Sequence, residues 1–169
     1  MKKNLVLLGM MGVGKTTIGK IVAKKQGLEF VDTDTNIEKK CSMKISEIFK
    51  KKGEKFFRIE EEKEVLKSLT KNNCVIALGG GAFVNESIRN SILKNAISMW
   101  LDNDLITLSK RIKWNKKRPL LDKKNNQKKI NKLYSERKNI YKLANHKIVC
   151  DNLSKEGIAN KIIIFYEKY

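Results

Sequence analysis

Three cysteines, a single proline and the lack of any long apolar run set the first limits on this 169-residue chain. Cys41, Cys74 and Cys150 are odd in number, far apart and without metal-ligand spacing. That excludes a disulfide framework or a zinc finger and suits thiols in a reducing compartment. No stretch approaches the ~20 apolar residues of a membrane span. Met1-Lys-Lys followed by an apolar segment has the outline of a signal peptide, but three glycines break the segment, it ends in Lys15, and no small-residue cleavage site follows. The expectation is a soluble, cytoplasmic protein with no membrane partner. Internal repeats and domain-dividing linkers are also missing, so residues 1–169 are read as one domain, long enough to bury roughly two-thirds of its unfolded surface.

Acidic residues are scarce as well: 18 against 37 Lys and Arg, a formal charge of +19. Such a charge attracts polyanions in general. No aromatic-interleaved basic strand or Cys/His finger accompanies it, so no specific nucleic-acid partner is expected. The excess is mostly Lys in a chain also rich in Asn and Ile, as A/T-biased codon usage would give. Basic residues crowd between Lys110 and Lys147, where the acidic ones are Asp122 and Glu136. Within that region lies the one proline-containing stretch, Lys113 to Asn126. It is helix-poor, charged and long for a connection, which is the character of a lid or an insertion.

What the chain does have is Gly9-Met-Met-Gly12-Val13-Gly14-Lys15-Thr16, a match to G-x-x-x-x-G-K-[ST]. It follows the apolar segment Asn4 to Leu8 and precedes a helical pattern from Thr17 to Lys25. Strand, turn and helix are the context this loop needs, because the turn aims several backbone N–H groups into one concavity and the helix N-terminus adds partial positive charge. A nucleoside triphosphate is therefore expected on Gly12, Val13, Gly14, Lys15, Thr16 and Thr17. Lys15 would reach the β- and γ-phosphates, and the Thr16 hydroxyl would ligate Mg²⁺.

Further apolar segments alternate with helical ones. Strands are predicted at Leu28 to Val31, Cys74 to Leu78, Ala96 to Leu101 and Lys147 to Cys150. Helices are predicted at Ile45 to Lys52 and Glu54 to Thr70, punctuated by Gly53, and from Asn85 through Leu93, with another beginning near Ser154. Asp102 or Asn103 is expected to cap the helix after the fourth strand. This alternation predicts an α/β fold with a parallel sheet covered on both faces.

The acceptor needs evidence of its own. Asp32-Thr-Asp34 ends the second strand, where open α/β sheets bind ligands. One carboxylate near Mg²⁺ and one near an acceptor hydroxyl would suit phosphoryl transfer. Alternatively, Asp34 caps the helix holding Ile37 and Glu38. Arg58 and Glu61, at i and i+3, are placed to pair, though pairs of this kind are commonly solvated. Gly79-Gly80-Gly81 after a buried strand would let backbone N–H groups approach a ligand closely.

Together these residues resemble the shikimate kinases, small phosphate-loop enzymes related in fold to nucleoside monophosphate kinases. The resemblance runs from the phosphate loop to about Ala144. It rests on Asp32-x-Asp34, Gly53-Glu54 before Phe57-Arg58-x-x-Glu61, Gly79-Gly80-Gly81, Arg118-Pro-Leu-Leu121, and Glu136-Arg137 with Tyr141. It implies a three-layer α/β/α fold with a five-stranded parallel sheet of order 2-3-1-4-5, and a monomer. The implied activity is ATP-dependent phosphorylation of the shikimate 3-hydroxyl in chorismate and aromatic amino-acid biosynthesis. By the same resemblance, Asp34 orients or deprotonates the hydroxyl, and Arg58 and Arg137 clamp the carboxylate. Gly80 and Gly81 give backbone contacts, Glu61 holds Arg58, and Asp32 joins Thr16 at Mg²⁺. Lys15 and Arg118 would neutralise the transferring phosphoryl group, Arg111 would lie against adenine, and residues 113–126 would form the lid. A gluconate-type kinase is the alternative within small-metabolite kinases, and a nucleic-acid-dependent ATPase the alternative outside them.

Overall fold

Continuous apolar runs in the sequence become strands buried from end to end. β1 (Asn4–Leu8), β3 (Cys74–Ala77) and all but the last residue of β4 (Ala96–Asp102) are buried, as required of strands packed on both faces. The molecule is a computed structural model in which residues 3–113 and 126–169 are described; Arg118 and most of the expected lid lie outside them. With the shorter β2 (Glu29–Asp32) and β5 (His146–Val149), the strands form one five-stranded sheet of order β2-β3-β1-β4-β5. All pairings are parallel, and Leu5 stands opposite Val75 on one side and Ile97 on the other. The expected strand order holds, strand boundaries fall within one residue of those expected, and helix boundaries within two.

Helices cover both faces. α1 (Lys15–Gln26) packs against α7 (Lys155–Tyr166) and β3, while α4 (Glu86–Asn95) packs against β4 and α3 (Ile45–Leu69). The main core joins the sheet to α1, α4 and α7. A second, smaller apolar cluster of Ile37, Ile48 and Phe57 ties α2 (Thr33–Cys41) to α3, with the Phe49 and Phe57 rings 4.8 Å apart. Among the described residues no helix is long and apolar enough to cross a membrane.

The caps follow the expected chemistry with two corrections. Asn85 and Ser154 accept from Ile88 N and Gly157 N, as the sequence suggests. The cap of α2 is Asp32, whose Oδ1 accepts from Thr35 N at 3.0 Å, so Asp34 sits in the first turn instead. The cap of α5 (Leu105–Lys113) is Asp104, accepting from Thr107 N at 2.8 Å, and neither Asp102 nor Asn103. Asp104 takes this place because its own amide is fixed by Asp151 Oδ1 across the sheet end, a contact between residues 47 apart. α6 (Asn126–Tyr141) is an addition to the elements read from sequence.

Gly53 bends α3 with φ 83° and ψ 166°, and a Cβ there would meet nothing within 4 Å. That conformation is essentially reserved for glycine, at a cost of about 1–3 kcal/mol for any other residue. Gly53→Ala should therefore lower Tm by roughly 3–10 °C without any clash. An unchanged melting curve would show that the helix straightens at no cost.

Candidate active site

A cleft of about 540 Å³ opens at the carboxyl ends of β1, β2 and β3, and its walls carry most of the residues singled out above. The phosphate loop forms one wall. α1 begins at Lys15, with Gly14 left-handed at φ 103° before it. The Lys15 ammonium, only 9% exposed, donates to Gly9 O at 2.8 Å and Met10 O at 3.0 Å. This holds the cation against the loop, where phosphate charge would arrive. The Val13 side chain is buried in the main core, so only its backbone serves the loop.

Thr16 Oγ donates to Asp32 Oδ2 at 2.7 Å. A hydroxyl and a carboxylate thus meet at the junction of loop and second strand, both hard oxygen donors of the sort Mg²⁺ takes. The two oxygens of Asp32 divide the work, one to the Thr16 hydroxyl and one to the α2 cap. Among the described residues no cluster of His, Cys, Asp or Glu makes a protein-only metal cage. A magnesium ion at Thr16 and Asp32 would therefore complete its shell with water and phosphate, as it commonly does.

The opposite wall is built by α2, α3 and the glycine turn. Asp34 and Glu61 approach Gly79 so closely that a Cβ on that residue would lie 2.6 Å from Asp34 Oδ1 and 2.7 Å from Glu61 Oε1. Arg58 donates to Glu61 Oε2 at 2.7 Å and to Glu54 Oε1 at 3.1 Å. Glu61 is 1% exposed, so the Arg58–Glu61 pair belongs to the cleft wall and not to a solvated helix face. Burial pushes the Glu61 carboxyl above its ordinary range, and the attraction of Arg58 opposes that rise. Arg137, on α6, reaches across and donates to Gly80 O at 3.0 Å. Two guanidinium groups remote in sequence thus flank one turn: Arg58 lies against Gly81, Arg137 against Gly80.

Lys15, Thr16, Thr17, Asp32, Asp34, Arg58, Gly80, Gly81, Arg111 and Arg137 all line this one cleft, together with Gly12 and Gly14. Arg111 stands at the exposed end of the site, on α5. The sequence reading misses Thr33 and gives Tyr141, though part of the family resemblance, no role. Thr33, the middle residue of Asp32-x-Asp34, is fully buried and its hydroxyl accepts from Gly79 N at 3.2 Å, pinning the glycine turn to the start of α2. Tyr141 donates to Gly80 O from the last residue of α6. Thr33 leaves no trace beyond a Thr between two Asp, and Tyr141 none beyond its place four residues after Arg137 in the family motif.

Known proteins resemble this chain in sequence and in fold. A family model described as shikimate kinase matches residues 11–167. A shikimate kinase of Bartonella quintana (strain Toulouse) is 43% identical over 168 residues, covering 99% of this chain and 80% of that protein. The shikimate kinase of Bacillus subtilis (strain 168) is 43% identical over 164 residues, covering 96% and 88%. Among solved structures, the shikimate kinase of Acinetobacter baumannii in complex with shikimate superposes with a TM-score of 0.95 at 31% identity, covering 99% of this chain and 94% of that one. Sequence, fold and the cleft that joins a phosphate loop to two facing arginines converge, and the chain belongs to the shikimate kinase family.

Proposed function

We propose that this protein transfers the terminal phosphoryl group of ATP to the 3-hydroxyl of shikimate, giving shikimate 3-phosphate and ADP on the route to chorismate and the aromatic amino acids. The observation that carries the reading is the single cleft in which Lys15 and Thr16 face Asp34, Arg58 and Arg137. A phosphate-binding end and a carboxylate-binding end stand side by side there. The likeness to relatives named shikimate kinase supports the choice of acid.

The chemistry follows from the placement. Little covalent work falls to a protein in phosphoryl transfer, so positioning and charge neutralisation dominate. Gly12, Val13, Gly14, Thr16 and Thr17 cradle the phosphates, and Lys15 takes up charge on the group in flight. Arg58 and Arg137 fix the planar carboxylate through fork-shaped donors, while Gly80 and Gly81 offer backbone contacts. Asp34 accepts from the ring hydroxyls and aligns the 3-hydroxyl. Thr16 and Asp32 would hold Mg²⁺, which would supply charge neutralisation at the phosphates. Arg111 lies against adenine. Arg118 belongs to the same reading as the lid's contribution to phosphoryl charge, within a lid of about residues 113–126 that keeps water from the transferring group. The chain acts as a monomeric, cytoplasmic single domain of residues 1–169, with no specific nucleic-acid or membrane partner.

ADP release from Mg·ATP, coupled to NADH oxidation, tests this directly with shikimate, gluconate, mixed nucleoside monophosphates or single-stranded DNA as parallel additions. Release should require shikimate. Stimulation by another acceptor would leave the nucleotide site intact and overturn the roles given to Asp34, Arg58 and Arg137.

A further inference from the structure

The carbonyl of Gly80 takes two donors, and they come from one face of one helix. Arg137 Nη1 donates to it at 3.0 Å, and the Tyr141 hydroxyl, one helical turn further on, donates to it as well. The same hydroxyl lies 3.9 Å from Met10 Sδ in the phosphate loop. The Tyr141 ring is 1% exposed and packs on Trp100 with centroids 5.9 Å apart. Burial pushes the phenol above its ordinary range, so it remains a donor at every working pH.

Two donors on one acceptor are unequal in their obligations. Arg137 is the group that must turn to a substrate carboxylate, whereas among the described residues the tyrosine hydroxyl donates to Gly80 O and the nearby Met10 sulfur alone. The Gly80 carbonyl is half-buried on the cleft wall, and losing its protein donors removes the bonds that tie the glycine turn to α6. Without Tyr141, Arg137 could turn to the substrate only by leaving Gly80 O with no side-chain donor among the described residues.

We propose that Tyr141 is a positioning residue for acid-substrate recognition: its hydroxyl keeps the Gly80 carbonyl satisfied when Arg137 swings to the substrate carboxylate, so the glycine turn stays in place beside the phosphate loop. This rests on the reading of Arg137 as part of the carboxylate clamp.

Tyr141→Phe keeps the ring and its packing on Trp100 while removing one oxygen. Steady-state turnover should show the shikimate KM raised about 5- to 30-fold, with kcat and the ATP KM within about threefold of wild type. Tyr166→Phe serves as the comparison, since Tyr166 is equally buried and its hydroxyl donates to a backbone carbonyl, Lys3 O at 2.8 Å, far from the cleft. It should lose thermal stability without moving the shikimate KM. Melting with and without shikimate in the absence of ATP reads binding independently of turnover, and the shikimate-induced rise in Tm should shrink in Tyr141→Phe alone. An unchanged shikimate KM in Tyr141→Phe, an equal rise in both KM values, or the same shift in Tyr166→Phe would each overturn the proposal. If wild-type turnover itself showed no dependence on shikimate, the functional reading would fall, and the positioning role with it.

Discussion

Lys15→Ala should lower kcat by on the order of 10²–10³-fold while leaving the shikimate-induced thermal shift almost unchanged. The buried ammonium is the cation of the phosphate loop, held by Gly9 O and Met10 O at the point where phosphate charge would develop. Removing one such donor from a preorganised site typically costs a few kcal/mol of transition-state stabilisation. The substitution also withdraws a donor from two loop carbonyls, so a lower Tm is expected, by roughly 3–10 °C for about 1–3 kcal/mol. Comparing kcat well below the melting range separates the two effects. Lys15→Arg should not restore turnover, because a planar fork does not replace a compact ammonium held by the Gly9 and Met10 carbonyl oxygens. More than a tenth of wild-type kcat in Lys15→Ala would sink the phosphate-loop assignment.

Gly79→Ala is expected to cut kcat/KM for shikimate by about 10²-fold, a loss as large as removing a reacting group. The new methyl group would sit 2.6 Å from Asp34 Oδ1 and 2.7 Å from Glu61 Oε1. Neither neighbour gives way cheaply. Asp34 is in the first turn of α2, and Glu61 is buried and bound to Arg58 at 2.7 Å. Relieving the overlap displaces the hydroxyl-orienting carboxylate and loosens half of the carboxylate clamp together, and a misplacement of about 1 Å can cost two orders of magnitude in rate. Gly80→Ala makes the control. A Cβ there meets its nearest atom, Met11 N, at 3.4 Å, an ordinary contact, so the loss should be several-fold smaller. Equal activity in the two variants would show that the crowding at Gly79 relaxes freely.

Local chemistry made much of this molecule readable in advance. The strands came from apolar runs too continuous for a half-exposed sheet, and the phosphate loop came from eight consecutive positions between a strand and a helix. Both are signals carried by neighbours in the chain. The same is true of the break at Gly53, where only a residue without Cβ tolerates the backbone. The caps at Asn85 and Ser154 are equally local, because the accepting side chain and the donated N–H lie three residues apart. Where a cap answered instead to a distant partner, the reading failed: Asp104 caps α5 with its own amide pinned by Asp151.

The acceptor half of the site divides along the same line. The sequence determined that Arg58 and Glu61 share a helix face, and resemblance to a family marked them as functional. It left open whether the pair was solvated or buried, since i, i+3 spacing is the same in either case. Folding α3 under the glycine turn decided for burial and placed the Glu61 carboxylate against Gly79. The meeting of Arg137 and Tyr141 with Gly80 spans 57 and 61 residues, and Thr33 reaches Gly79 across 46. Hydrogen bonds of that reach leave no periodicity and no spacing rule behind, because the sheet order and not the chain sets the distance between their ends. The sequence by itself determined that the chain folds as a parallel α/β sheet around a phosphate loop. Only the tertiary structure decided which side chains hold the glycine turn, since that turn is fixed by residues brought to it from α2, α3 and α6.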